Sequence, residues 1–259
     1  MNATHIKQCL NDLLPAQEHS HFLKAIEKRP TKSIRLRPES ARGKALPSTL
    51  PFHTEAIPWY PNGHFCTGIA QPGRFLSYAA GDYFIQDAGS LLAIQLLDLQ
   101  PTEWVADICA APGGKASAVL EIIGPGGGFL LANEPVRSRL AALEYNLARV
   151  GYPRYLTMSQ DPEKLKRNWT EQFHAVLVDA PCTGQTLVSR GKQSAAAFSE
   201  SLVQHSAARQ RRILNAAAAL VQPGGRLVYS TCTFTSIENE QVVHTFLHEH
   251  ADWTIDPEP

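Results

Sequence analysis

Short apolar runs and longer amphipathic stretches alternate from about residue 80 to the end of the chain. "FIQDAGSLLAIQLLDL" (84–99) carries helical spacing, "WVADIC" (104–109) reads as a buried strand, and Lys115 to Ile123 reads as a helix. A strand in "FLLANE" (129–134), a helix over Val136 to Arg149, and strands in "YLTMS" (155–159) and "AVLVDA" (175–180) follow. A long helix over 201–221 ends at Pro223-Gly224, and "RLVYST" is the next strand. This alternation predicts an α/β fold, a parallel sheet with helices on both faces. Ligands of such sheets sit at the carboxyl ends of the strands. Cys109, Glu134, Asp161, Asp179, Cys182 and Cys232 all fall at such ends.

The first part of the chain has a different texture. Helical stretches around Ile6 to Leu14 and Ser20 to Lys28 precede "SIRLRP", which reads as a strand, and then short segments broken by Pro and Gly. The expectation is a small mixed α+β region over 1–78 and a larger α/β domain over 79–259. A chain of 259 residues at 44% hydrophobic can bury a core of that size. No apolar run is long enough to span a bilayer, and the start lacks the basic-then-apolar order of a secretory leader. Five cysteines without a CxxC pair suit free thiols in a reducing cytoplasm.

Net charge is zero, but its distribution is uneven. Lys24, Lys28, Arg29, Lys32, Arg35, Arg37, Arg42 and Lys44 face only Glu27 and Glu39. Arg190, Lys192, Arg209, Arg211 and Arg212 face only Glu200, whereas no Lys or Arg follows Leu227. Such asymmetry can give a neutral protein a basic face for phosphates, and ordinary solvated helix faces would look the same. Two of the histidines in "HTFLHEH", His244 and His248, share a helix face, but no further ligand is evident, so no metal is expected.

"DICAAPGGKA" joins the first strand of the α/β region to a helix. Its small residues, Pro and two glycines let a ligand approach the backbone, and the helix start offers free N–H groups. A dinucleotide site would carry GxGxxG here, and it is absent. Glu134, ending the next strand, is placed to accept hydrogen bonds from ribose hydroxyls. A nucleoside with a carboxylate tail and no pyrophosphate fits this pair, which describes S-adenosylmethionine.

With these segments in place, the chain resembles the RNA (cytosine-5)-methyltransferases of RsmB/RsmF and NSUN type. The resemblance rests on "YFIQDAGS", "DICAAPGGKA", "LANE", "DAPCTG" and "PGGRLVYSTCTFTSIENE", which span about 80 to 243. Within the family it is most similar to the bacterial ribosomal-RNA members of RsmF type. The resemblance implies a Rossmann-like class I methyltransferase sheet and an S-adenosyl-L-methionine site. That site would use Cys109, Ala110, Ala111, Pro112, Gly113, Gly114, Lys115, Glu134, Asp161 and Asp179. Glu134 would take the ribose, Asp161 the adenine amino group, and Asp179 would sit between cofactor and base. Cys232 would be the nucleophile and Cys182 the thiol that helps release product. The chemistry wants both, because carbon 5 of cytosine becomes nucleophilic only after a thiolate adds to carbon 6. A second group must then remove the carbon-5 proton.

The implied partner is RNA, most simply ribosomal RNA, with tRNA as the alternative substrate and a non-catalytic assembly factor as the alternative role. Arg35, Arg37, Arg190 and Lys192 are the expected RNA contacts, and a cytoplasmic monomer is expected. Arg37 stands where relatives carry the Asn of an Arg-x-Asn element. The stretch after Cys182 lacks the Asp-Pro and Trp common in relatives. The chain stops at "DWTIDPEP", where relatives continue, so a fragment or a minimal form is expected. A DNA cytosine-5 methyltransferase would need a large target-recognition region that the residues after Cys232 do not supply.

Overall fold

The computed structural model describes residues 14–28, 30–38, 50–68, 71–190 and 195–257, with no side-chain description at 26, 27, 188–190 and 195. The chain divides into two compact units. The larger holds residues 31–178 and 217–228, and the smaller holds 1–30, 179–216 and 229–258. Each unit is assembled from segments distant in sequence, and the 78/79 boundary falls inside the larger one. In chain order the longer helices are α1 (His19–Glu27), α2 (Ala88–Gln95), α3 (Gly114–Ile123), α4 (Leu140–Ala148), α5 (Pro162–Trp169), α6 (Glu200–Ala218) and α7 (Glu240–Glu249). Among the described residues no helix is long and apolar enough to cross a membrane.

The larger unit contains a four-stranded sheet of β1 (Ser33–Leu36), β2 (Thr54–Ala56), β3 (Gly63–Cys66) and β4 (Tyr83–Ile85), in the order β2-β3-β1-β4. Its pairings are antiparallel. A second sheet runs β7-β6-β5-β8-β9, with β5 (Trp104–Asp107), β6 (Phe129–Asn133), β7 (Tyr155–Met158), β8 (Phe173–Asp179) and β9 (Val221–Ser230). The pairs β5–β6, β5–β8 and β6–β7 are parallel. Val105-Ala106, Leu130-Leu131-Ala132 and Ala175 to Val178 are all fully buried. Continuous apolar runs of this kind are what strands covered on both faces require. The α/β Rossmann-like expectation holds.

Local differences have local causes. Within 84–99 the helix begins only at Ala88, because Phe84 and Ile85 pair with β1 (Arg35↔Phe84, Ile34↔Ile85). Asp87 then starts α2 by accepting a hydrogen bond from Gly89 N at 3.0 Å. The segment from Val136 opens with a 3-10 turn, Arg137–Arg139, before α4. α5 was not foreseen; its only buried residues are Pro162 and Leu165, too thin an apolar stripe to read as a helix. The strand in "SIRLRP" and the helix around Ser20 to Lys28 are present, whereas residues 6–13 of the first expected helix lie outside the described residues.

The smaller unit has a minor apolar cluster of Ala197 and Phe198 with Leu14, Phe22, Leu23 and Phe234. Phe234 meets Phe22 edge-on at 5.2 Å between ring centroids and lies 5.8 Å from Phe198. This packing anchors the chain two residues past Cys232.

Candidate active site

In the larger unit, β5 ends at Asp107 and α3 begins at Gly114. The turn between them is held by its own backbone and by its neighbours. Ala110 N donates to Asn133 O at 2.9 Å, Gly113 N to Ala110 O at 2.7 Å, and Cys109 N to Asp107 Oδ1 at 3.3 Å. Asn146 Nδ2 donates to Pro112 O and Arg139 Nη2 to Ala111 O, each at 2.7 Å. Gly113 has φ of 104°, and a Cβ there would lie 3.1 Å from Asn146 Cβ and 3.3 Å from Leu143 Cδ1. Conformation and space both demand glycine. The first amides of α3 have no partner inside the helix and sit at the positive end of its dipole.

Glu134 follows β6 directly and is 2% exposed. Its Oε1 accepts from Val136 N at 2.9 Å and its Oε2 from Arg139 Nη1 at 3.1 Å. A carboxylate oxygen accepts about two hydrogen bonds, so both retain capacity for further donors. Arg139 thus ties the glycine turn to the acid, a role the sequence did not reveal. Asp161 caps α5, accepting from Glu163 N at 3.0 Å. Beside it, Asn133 Nδ2 donates to Ile108 O at 3.2 Å and to Gln160 O at 3.0 Å, drawing the ends of β5, β6 and β7 together.

The expectation for Arg35 is corrected. Its side chain is fully buried and forks onto Glu121, with Nε–Oε2 at 2.7 Å and Nη2–Oε1 at 3.1 Å. It also donates to Gln86 Oε1, to Gly114 O at 3.0 Å and to Ser117 Oγ at 3.0 Å. A guanidinium spent on the start of α3 has no surface to offer a phosphate. Arg37 is likewise turned inward, donating to the carbonyls of Gly81 and Val150. Lys192 and the side chain of Arg190 lie outside the described residues. Because Arg35 is a donor only, Gln86 must turn its oxygen to it. Gln86 Nε2 then faces Gly114, 3.8 Å from where a Cβ would stand, and is buried without a hydrogen-bond partner.

The smaller unit carries the thiols. Cys182 Sγ and Cys232 Sγ are 3.2 Å apart, and Cys232 N donates to Cys182 Sγ at 3.3 Å. Cys232 is exposed and Cys182 half-buried. The hydrogen bond to Cys232, reinforced by burial, holds the Cys182 thiol well above the ordinary range. Asp179, ending β8, accepts from Ser230 Oγ at 2.9 Å.

Cys66 is buried, and so is Tyr60. Trp59 donates its Nε1 to Ala88 O at 3.0 Å. Cys9 lies outside the described residues. No group of three or more His, Cys, Asp or Glu suited to a metal occurs among the described residues.

Known proteins resemble this chain in sequence and in fold. The family model for the 16S rRNA methyltransferase RsmB/F matches residues 94–259, and that for the N-terminal domain of 16S rRNA methyltransferase RsmF matches residues 3–88. Ribosomal RNA small subunit methyltransferase F of Erwinia tasmaniensis is 34% identical over 204 residues, 76% of this chain and 42% of that protein. The chain therefore spans less than half the length of this relative. A methyltransferase homolog protein from Pyrococcus horikoshii superposes with a TM-score of 0.76 at 22% identity, over 96% of this chain and 83% of that one. NSun6 from Pyrococcus horikoshii, solved with SFG, gives 0.77 at 16% identity, over 94% and 86% of the two chains. These two structures share the fold. With the first match covering more than half of its residues, the chain belongs to the RsmB/F family of 16S rRNA methyltransferases.

Proposed function

We propose that the chain methylates carbon 5 of a cytosine in ribosomal RNA, in the cytoplasm, through a covalent adduct at carbon 6. The observation that carries this reading is the pair of thiols in contact, Cys232 exposed and Cys182 half-buried, 3.2 Å apart. Two structural cysteines would not need one sulfur open to solvent and the other held protonated against it.

S-adenosyl-L-methionine is the cofactor this reading requires, and when bound it supplies an electrophilic methyl group. The donor set suits it: the first amides of α3 and the unpartnered Gln86 Nε2 for a carboxylate, and Glu134 for ribose hydroxyls. The turn from Cys109 to Lys115, with Glu134, Asp161 and Asp179, would hold it. Cys232, as thiolate, attacks carbon 6 and makes carbon 5 electron-rich. Asp179 stabilises the base edge as charge develops there. Cys182 keeps its proton while Cys232 attacks, because the hydrogen bond to Cys232 holds that thiol up. Once Cys232 is joined to carbon 6 that cause is removed, so Cys182 can release its proton to solvent and, as the thiolate, take the carbon-5 proton. Elimination then frees Cys232. With Arg35 and Arg37 turned inward, the exposed Arg209 and Arg212 of α6 are better placed to meet phosphate.

The test separates the two thiols. Cys232→Ala should abolish methylation and any covalent link to RNA. Cys182→Ala should still attack and methylate, then stall as a protein–RNA adduct visible on a denaturing gel. An adduct in Cys232→Ala alone would exchange the roles. Full activity without adduct in either variant would remove covalent catalysis altogether.

A further inference from the structure

Glu238 is fully buried, six residues beyond Cys232 in the sequence. Its Oε2 accepts from Thr183 N and from Gln210 Nε2, each at 2.9 Å, and its Oε1 from Thr183 Oγ1. Among the described residues no Lys or Arg pairs with it. A buried carboxylate held by neutral donors alone is a poor way to gain stability, because desolvation offsets most of what the hydrogen bonds return. Such a group fixes geometry.

The geometry concerns the thiols. Thr183 follows Cys182 and Thr233 follows Cys232, and their hydroxyls meet at 3.1 Å. Thr183 spends its one hydroxyl proton on Glu238, so it takes the proton of Thr233. The relay therefore runs from the residue beside one thiol, through the residue beside the other, to Glu238. Gln210 adds a second tie, donating also to Pro181 O at 3.1 Å, just before Cys182. The neighbouring Asn239 secures the other loop: its Nδ2 donates to Thr233 O at 3.1 Å and Thr235 O at 3.0 Å, and its Oδ1 accepts from Thr231 Oγ1 at 2.6 Å. Two consecutive side chains thus reach the two thiol-bearing loops.

We infer that Glu238 is a positioning residue: it holds the Cys182 loop, through Thr183 and Gln210, so that the two sulfurs stay in contact for attack and release. The catalytic part of this inference rests on the proposed function; the geometric part does not. Glu238→Gln is the sharpest probe. Its amide nitrogen would set a donor against Gln210 or Thr183, and a Gln210 flip to accommodate it would release Pro181.

The full chain is treated with diamide, which takes two electrons and two protons as the Cys182–Cys232 bond forms, and the disulfide is followed by peptide mapping. Glu238→Gln should slow this cross-link by about 10-fold or more. It should lower kcat on RNA on the order of 100-fold, the effect of a misplacement near 1 Å, while KM for S-adenosylmethionine stays unchanged. Thr183→Val should act in the same direction and Thr183→Ser should restore the wild-type rates, which a role in folding alone would not distinguish. A folded Glu238→Gln variant that cross-links at the wild-type rate would overturn the inference. If that variant does not fold, unaltered cross-linking in both Thr183→Val and Thr233→Val would do so. A wild-type chain that cross-links readily but methylates no RNA would defeat the proposed function alone, and the cross-linking ratios would still decide this point.

Discussion

The glycine turn after β5 and the two thiol loops both present chemistry at the ends of strands, yet they are built from opposite materials. The turn leans on an apolar bed. Ala110, Ala111, Ala116, Val119, Leu120, Leu143 and Leu147 belong to one buried cluster, and the polar tie behind it is a full ion pair between Arg35 and Glu121. The thiol loops lie beside the apolar cluster of Ala197, Phe198 and Phe234 and are tied by Thr183, Thr233, Gln210, Glu238 and Asn239, with no cation on Glu238 among the described residues. Under the proposed function the turn is a cradle that has to stay put. Under the same reading, Cys232 must form and break a bond with the substrate beside Cys182, which needs placement that neutral hydrogen bonds supply, without a fixed positive charge to lower a thiol pKa indiscriminately.

The largest effect should come from breaking the ion pair. Arg35→Met leaves the Glu121 carboxylate buried without its partner, which costs about 3–5 kcal/mol. Urea denaturation should show that loss, and Arg35→Met with Glu121→Leu should recover much of it, since replacing both charges with apolar groups is often close to neutral. A loss under about 1 kcal/mol in the single variant would put the turn on the same footing as the thiol loops, and the contrast would fail.

Apolar periodicity explains which parts of this were legible. The runs Val105-Ala106, Leu130 to Ala132 and Ala175 to Val178 announce a parallel sheet because strands buried on both faces admit little else. "AAPGG" announces a turn because small residues and glycine have few other reasons to cluster between a strand and a helix. The thiols stood out because a strand end is an unusual address for a packing cysteine. Arg35 was misread since charge is visible in a sequence and burial of a charge is not: its partner Glu121 lies 86 residues away. Glu238 and Asn239 sat in view within "SIENE", but a polar relay reaching back to Thr183 across 55 residues has no period to detect. Arg139 and Gln86 were hidden for the same reason. α5 escaped because a short helix with two buried residues leaves almost no stripe.

A smaller effect tests whether the turn can be damaged without touching the thiols. Gly113→Ala forces a side chain into left-handed backbone and against Asn146 and Leu143, at a cost of about 1–2 kcal/mol. Calorimetry should show weaker S-adenosylmethionine binding in this variant. The diamide cross-linking rate of Cys182 with Cys232 depends on the other set of hydrogen bonds and should remain at the wild-type value. A slowed cross-link would mean that the two regions act as one.

The smallest effect is a pH dependence that both regions share but at different sites. In the larger unit, burial pushes the Cys66 thiol up from 9.0 to about 11 and the Tyr60 hydroxyl up from 10.0 to about 12. In the smaller unit, the bond to Cys232 and burial raise Cys182, and burial raises Tyr229. All four groups are neutral when protonated, so the sign is the same for each. Above pH 9 the unfolded chain releases the Cys66 proton while the folded chain keeps it, so the unfolded state binds fewer protons and stability falls with rising pH. For Cys66 the loss should begin near pH 9 and level off once the folded thiol also ionises, near pH 11. Urea midpoints measured at pH 8 and pH 10 should therefore draw together in Cys66→Ala, and separately in Cys182→Ala, relative to the wild type. The variant that flattens the difference more identifies the region whose buried thiol limits alkaline stability. If neither flattens it, groups other than these two thiols carry the dependence.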